Sequence, residues 1–130
     1  MVVDSSAIIA ILFDEPEAAL FFSAIQQSSA KIISAPTLLE ASIVAASRKG
    51  NAGLKLLDNL LSHLGVQTKE FSADHLSAAR LAHKNFGKGQ GHPAQLNFGD
   101  CISYAMSKTE LMPLLFKGDD FRLTDVDCAI

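Results

Sequence analysis

Five acids are the residues of this sequence best suited to chemistry: Asp4, Glu40, Asp100, Asp119 and Asp120. Each stands in or beside an apolar stretch. Asp4 follows Met1-Val2-Val3, Glu40 adjoins Leu38 and Leu39, and Asp100 is flanked by Phe98, Cys101 and Ile102. Asp119 and Asp120 come shortly after Leu114-Leu115-Phe116. Carboxylates in such company are costly unless paired, and cations near them in sequence are scarce. Acids that cluster repel, so either some take up protons or a cation holds them. A hard, octahedral ion satisfied by carboxylates and retained waters fits best, which means Mg2+ or Mn2+. No single acid is diagnostic. Alone, Asp4 is a helix cap, Glu40 a solvated helix residue, Asp100 a helix acid favoured by the dipole, and Asp119-Asp120 a turn.

The elements that must position these acids alternate between strand and helix. Val2 and Val3 suit a small buried strand, and Ser5 and Ser6 can cap a helix over Ala7–Leu12. Pro16 suits the first turn of a second helix running to about Ser28. Lys31–Ser34 reads as the second strand. Pro36 opens a third helix that ends at the basic turn Arg48-Lys49-Gly50. Asn51 caps the next, whose stripe of Leu54, Leu57, Leu61 and Leu64 is core packing. Gly65 stops it, Val66–Phe71 forms a third strand, and Ser72 caps a helix from Ala73 to about Phe86. The glycine-rich stretch from Gly87 to Gln95 is the one long loop. Asn97-Phe98-Gly99 leads into the helix carrying Asp100. Pro113–Phe116 is the fourth strand, and Thr124–Ile130 is read as a short edge strand. This alternation predicts an α/β fold: a single-domain three-layer α/β/α sandwich with a short parallel sheet, spanning residues 1–130. On it the acids fall on one rim, at the carboxyl ends of the strands, where such sheets bind ligands.

Bulk properties restrict the class. The chain has 130 residues, 48% of them hydrophobic, enough for a core without disulfides. No apolar run reaches the length of a membrane helix, and no basic region precedes the first apolar segment, so neither membrane span nor signal peptide is expected. Cys101 and Cys128 lack metal-like spacing and read as reduced thiols of a cytoplasmic protein. The net charge of −3 argues mildly against bulk electrostatic attraction to nucleic acid. Setting aside Asp4, Glu40, Asp100 and Asp120 as metal ligands, however, 10 of the 14 acidic groups remain against 11 basic ones.

Other candidates carry less. His63, His75, His83 and His92 have no mutual metal spacing and read as surface or partly packed residues. His92 and Lys88 border Asp100 through their loop and are candidate phosphate contacts. Ser6 is a cap first and a possible support for a metal-bound group second. No serine nucleophile elbow is present, and Cys101 reads as core. A receiver domain would want an acidic pair after the first strand, and a haloacid-dehalogenase phosphatase would want Asp-x-Asp there; Asp4-Ser5-Ser6 supplies neither.

Four segments carry a resemblance: MVVDSSAIIAILFDEPEA, ISAPTLLEASIVAASRKG, FGKGQGHPAQLNFGDCISYAMS and LLFKGDDFRLTDV. With them the chain resembles the PIN-domain ribonucleases of the VapC toxin type, from bacterial VapBC toxin–antitoxin systems, over nearly its whole length. The resemblance implies Asp4 and Asp100 as the principal Mg2+ ligands, Glu40 as a third acid and Asp120, in preference to Asp119, as the fourth. Two departures stand out: Gly118 replaces an acid many PIN domains carry, and Gln90-Gly91 replaces a basic residue. The implied reaction is metal-dependent hydrolysis of RNA leaving 5′-phosphate and 3′-OH ends, since no histidine pair supports cyclic-phosphate chemistry. The alternative is a catalytically silent PIN fold that binds RNA or protein. The resemblance also implies a VapB-type antitoxin and a homodimer. The first helix, apolar on nearly every face, and the third, with Leu38, Leu39, Ile43 and Val44, offer surface for such partners. The other reading is that both helices are simply central in the fold; Ile8 and Leu12, contact residues on the first reading and core on the second, separate the two.

Overall fold

Three of the four strands begin or end as a pair of neighbouring apolar residues, and that pairing dictates the layers. Successive strand residues face opposite sides of a sheet. Val2, Ile32 and Leu114 face one side, while Val3, Ile33 and Leu115 face the other. The computed structural model describes residues 1–130. Its strands are β1 (Val2–Val3), β2 (Ile32–Ser34), β3 (Gln67–Lys69) and β4 (Leu114–Leu115). All pair in parallel, in the order β3-β2-β1-β4.

Helices α1 (Ser5–Leu12), α2 (Ala18–Gln27) and α3 (Ala35–Leu64) cover the face of Val3 and Ile33. Helices α4 (Ala73–Phe86) and α5 (Phe98–Glu110) cover the face of Val2 and Ile32. One hand of crossover requires this division. The chain steps outward from β1 through β2 to β3, then returns past β1 to β4, so the last crossover lies on the opposite face. No helix is long and apolar enough to cross a membrane.

The two helices expected on either side of Gly50 are joined in α3, with Gly50 as a break at φ 57° and ψ −145°. That conformation suits only glycine. Past it the chain folds back sharply: a Cβ at Gly53 would lie 2.3 Å from the Ala45 carbonyl oxygen. In a straight helix residues eight apart are separated by about 12 Å. The segment expected as a strand over Thr124–Ile130 is otherwise. A 3₁₀ turn occupies Asp120–Leu123, and only the single bridge from Cys128 to Leu114 follows.

Ile8 is fully buried among residues of β1, β2 and α3, which corrects its expected place on a partner surface; Leu12 is half-buried. Among the exposed apolar residues, those beside Glu40 and Asp100 lie on α3 and at the start of α5: Leu39 and Ile43 at 61% and Phe98 at 85%. Ile8→Asp is therefore expected to unfold the protein. An unpaired carboxylate there costs about 4 kcal/mol or more, most of the stability of an ordinary domain. Loss of the helical circular dichroism signal checks it, with Ile43→Asp as the folded control.

Candidate active site

The strand order creates a crevice where β1 is flanked by β2 on one side and β4 on the other, with their crossovers diverging above and below the sheet. Asp4 sits in it. It caps α1 in extended geometry, and its Oδ2 accepts from the Ser6 N–H at 2.9 Å. The Ser6 hydroxyl donates to the same oxygen and accepts from the Lys117 N–H at 3.0 Å, tying the end of β1 to the end of β4. The Ser103 hydroxyl donates to Asp4 Oδ1 at 2.5 Å. Behind Ser103 lies Thr37 Oγ1 at 3.4 Å, and Ser34 donates to Thr37 at 2.7 Å. Asp4, Ser34, Thr37 and Ser103 are all buried, Asp4 at 4% exposure. The sequence reading singles out neither Ser103 nor Thr37. A signal exists: Thr37 lies three residues before Glu40 and Ser103 three after Asp100, one helical turn from each acid.

Asp100 occupies the first turn of α5. Its Oδ2 accepts from the Asn97 N–H at 2.8 Å and Asn97 Oδ1 accepts from the Asp100 N–H at 2.9 Å, a reciprocal cap. Partial burial nevertheless pushes its carboxyl up to about 6, with the charges of Asp4, Asp120 and Glu40 adding to the effect against the Asn97 hydrogen bond. Glu40, on the first turns of α3, is also raised, by desolvation and then by Asp4, the Ser5 hydroxyl opposing. Its carboxylate lies over Gly99, where a Cβ would stand 2.7 Å from Oε2. Glycine at 99 leaves the space the Glu40 carboxylate occupies.

Asp120 opens the 3₁₀ turn after β4, and its charge is among those acting on Asp100. Asp119 points away: its side chain is 94% exposed and 4.0 Å from Arg122 Nε. Asp4, Glu40, Asp100 and Asp120 are thus neighbours electrostatically, although only Asp4 is fully buried. No three of these groups converge tightly enough to coordinate one ion by side chains alone.

None of the four belongs to an ion pair of the protein. Lys117, whose backbone N–H meets Ser6, spends its ammonium on Glu15 at 2.8 Å and Glu17 at 3.0 Å. An all-oxygen, uncompensated set of acids fits a hard divalent cation that keeps some of its waters. In the absence of such a cation, Asp100 makes stability fall as pH rises. Its folded value of about 6 lies above the ordinary 3.8. The native state therefore holds a proton the unfolded state has released, and its contribution is lost between about pH 4 and pH 6. Asp100→Asn is expected to lose less thermal stability than wild type between about pH 4 and pH 6 in EDTA. Parallel melting profiles for the two proteins would refute this.

The remaining candidates separate. Lys88 lines a cleft between α4 and α5, whereas His92 Nδ1 accepts from the Ala94 N–H and its ring packs edge-on against Phe86. His75, expected near the surface, is 3% exposed, bonded to Ser72 and, through Nε2, to Glu110 at 2.9 Å. Cys101 is core, and burial raises its thiol.

Comparison with known proteins places the chain in a family. The PIN domain model matches residues 1–127. "Ribonuclease VapC" of Mycolicibacterium smegmatis is 48% identical over 126 residues, covering 97% of each chain. "Ribonuclease VapC30" of Mycobacterium tuberculosis is 42% identical over 97% of this chain and 95% of its own. "VapC ribonuclease Mb0625" of Mycobacterium bovis is 42% identical over 100% of this chain and 98% of its own. With its parallel three-layer fold and acidic crevice, this chain belongs to the PIN domain family, among the VapC proteins.

Proposed function

We propose that this protein is a metal-dependent endoribonuclease, the toxin of a type II toxin–antitoxin pair. The single observation that carries the reading is Asp4, buried at the sheet's crevice, with Glu40, Asp100 and Asp120 around it and no protein cation to balance them. Relatives named as ribonucleases over nearly the same length support it.

Asp4 and Asp100 would hold Mg2+, or Mn2+ in its place, with Glu40 and Asp120 completing the acidic rim through waters. Bound there, the ion supplies a more acidic water and neutralises charge developing on the phosphate. The chain's own part is positional. Ser103 and Ser6 hold both oxygens of Asp4, Asn97 holds one oxygen of Asp100, and Gly99 leaves room for Glu40. Burial and the neighbouring charges raise both Glu40 and Asp100, a repulsion that a bound cation would relieve. Attack by water on the phosphorus, with the P–O3′ bond breaking and the 3′ oxygen leaving with a proton, gives 5′-phosphate and 3′-OH ends. Sequencing the ends of RNA cut by the purified protein tests this, and cyclic-phosphate ends would overturn it.

A catalytically silent PIN fold is the second reading, favoured by the lack of three convergent ligands. Absence of any cut with Mg2+ present would select it.

The partners follow from the same reading: RNA as substrate, a VapB-type antitoxin, and a second copy of the chain, in the cytoplasm. The groove beside Glu40, lined by Leu39, Ile43, Val44, Phe98 and Ile102, is apolar surface open to a protein partner. Asp120→Asn is expected to reduce cleavage at least tenfold more than Asp119→Asn, because only Asp120 acts on Asp100. Equal rates for the two variants, measured on one RNA, would reassign the fourth acid.

A further inference from the structure

We infer that the cleft between α4 and α5 is a nucleotide subsite, seating a base of single-stranded RNA against Phe98 with Arg80 and Lys88 on the adjoining phosphates. The inference rests on the ribonuclease reading and extends it to how the substrate is held. The cleft measures about 790 Å³ and is lined by Phe71, Leu76, Arg80, His83, Lys88 and Phe98 among others. That volume lies in the range of ordinary ligand sites, about 300–1,000 Å³.

Three features select nucleic acid. No acidic residue lines the cleft, although the chain as a whole carries a charge of −3. Arg80 and Lys88 make no ion pair, so their charges are free for phosphate. Phe98 is 85% exposed at the start of α5, an apolar ring without a partner in its own chain. Bases splayed from a single strand stack on such rings, whereas paired bases are not available to them.

The cleft also leads to the acids. It shares Pro36, Asn97, Phe98 and Ile102 with the groove that holds Glu40 and Gly99. Asn97 in turn caps the helix of Asp100 and bonds its carboxylate. Phe98 stands two residues before Asp100 in the first turn of α5, so a strand with one base on Phe98 passes beside the acidic rim. His92, turned into its own loop and Phe86, takes no part.

The test separates binding from cleavage. A short fluorescein-labelled single-stranded RNA is titrated into full-length protein carrying Asp4→Asn, and anisotropy reads the affinity. Adding Phe98→Ala is expected to weaken binding on the order of tenfold, and Phe98→Trp to preserve it. Adding Arg80→Ala and Lys88→Ala together is expected to make the logarithmic salt dependence shallower by about 1.4, from two lost phosphate contacts. Unchanged affinity and slope in these variants overturn the subsite, even if wild-type protein cuts RNA. A change in molecular mass by light scattering on Phe98→Ala, with RNA affinity unaltered, overturns it in favour of a protein contact. Failure of the ribonuclease reading itself shows separately, as wild-type protein that does not cut RNA with Mg2+.

Discussion

Asp4→Asn is expected to lower RNA cleavage on the order of 10³-fold while leaving the protein folded. The two halves of this expectation come from different contacts. As a cap, Asn serves a helix about as well as Asp, so the hydrogen bond from the Ser6 N–H survives. The Ser103 hydroxyl can rotate to accept from an amide where it donated to a carboxylate. Stability is thus expected to stay within about 1 kcal/mol of wild type. The charge, however, is gone, and Asp4 is the one acid of the four that is fully buried and held at both oxygens. Cleavage rates on one RNA, set beside thermal unfolding of the same preparation, read both halves. A folded variant that cuts at the wild-type rate would remove Asp4 from the chemistry.

Removing divalent cations is expected to stop cleavage altogether, and Mg2+ or Mn2+ to restore it. The acids that would bind the ion offer only carboxylate oxygens, the donors hard cations prefer. Zn2+ is expected to be the poorer activator, since the softer donors lie elsewhere. His75 is committed to Glu110 and Ser72, His92 to its own loop, and Cys101 to the core. A second readout does not depend on activity. An ion that relieves repulsion among Asp4, Glu40, Asp100 and Asp120 stabilises the folded state, so Mg2+ should raise the melting temperature of wild type. The rise should shrink in Asp4→Asn. Cleavage that persists in excess chelator, or equal rises in both proteins, would sink the metal assignment.

The sequence by itself determined the order and kind of the elements. Short apolar runs around 2–3, 32–33 and 114–115, too short for helices and bounded by capping residues or proline, read as strands covered on both faces, and covered strands joined by helices are parallel. Local chemistry set most of the ends: Ser72 and Asn97 cap α4 and α5 through hydroxyl and amide oxygens, and Gly65 ends α3 at φ 67°. Those devices act within four residues, so a linear reading finds them. Tertiary structure decided what depends on distant partners. Ile8 and Ile43 are equally apolar in sequence, yet α1 is packed between the sheet and its neighbours while one face of α3 is left open, so only Ile8 is core. His75 is an ordinary histidine until α5 brings Glu110 to its Nε2. The support of Asp4 is the clearest case. Ser103 is 99 residues away and Lys117 reaches through Ser6, contacts that exist only because β4 returns to pair with β1. The acids were legible as types at the ends of elements. Which of them is buried, and which hydroxyl holds it, follows from strand order, because burial is a property of the neighbours a fold supplies and not of the residue itself.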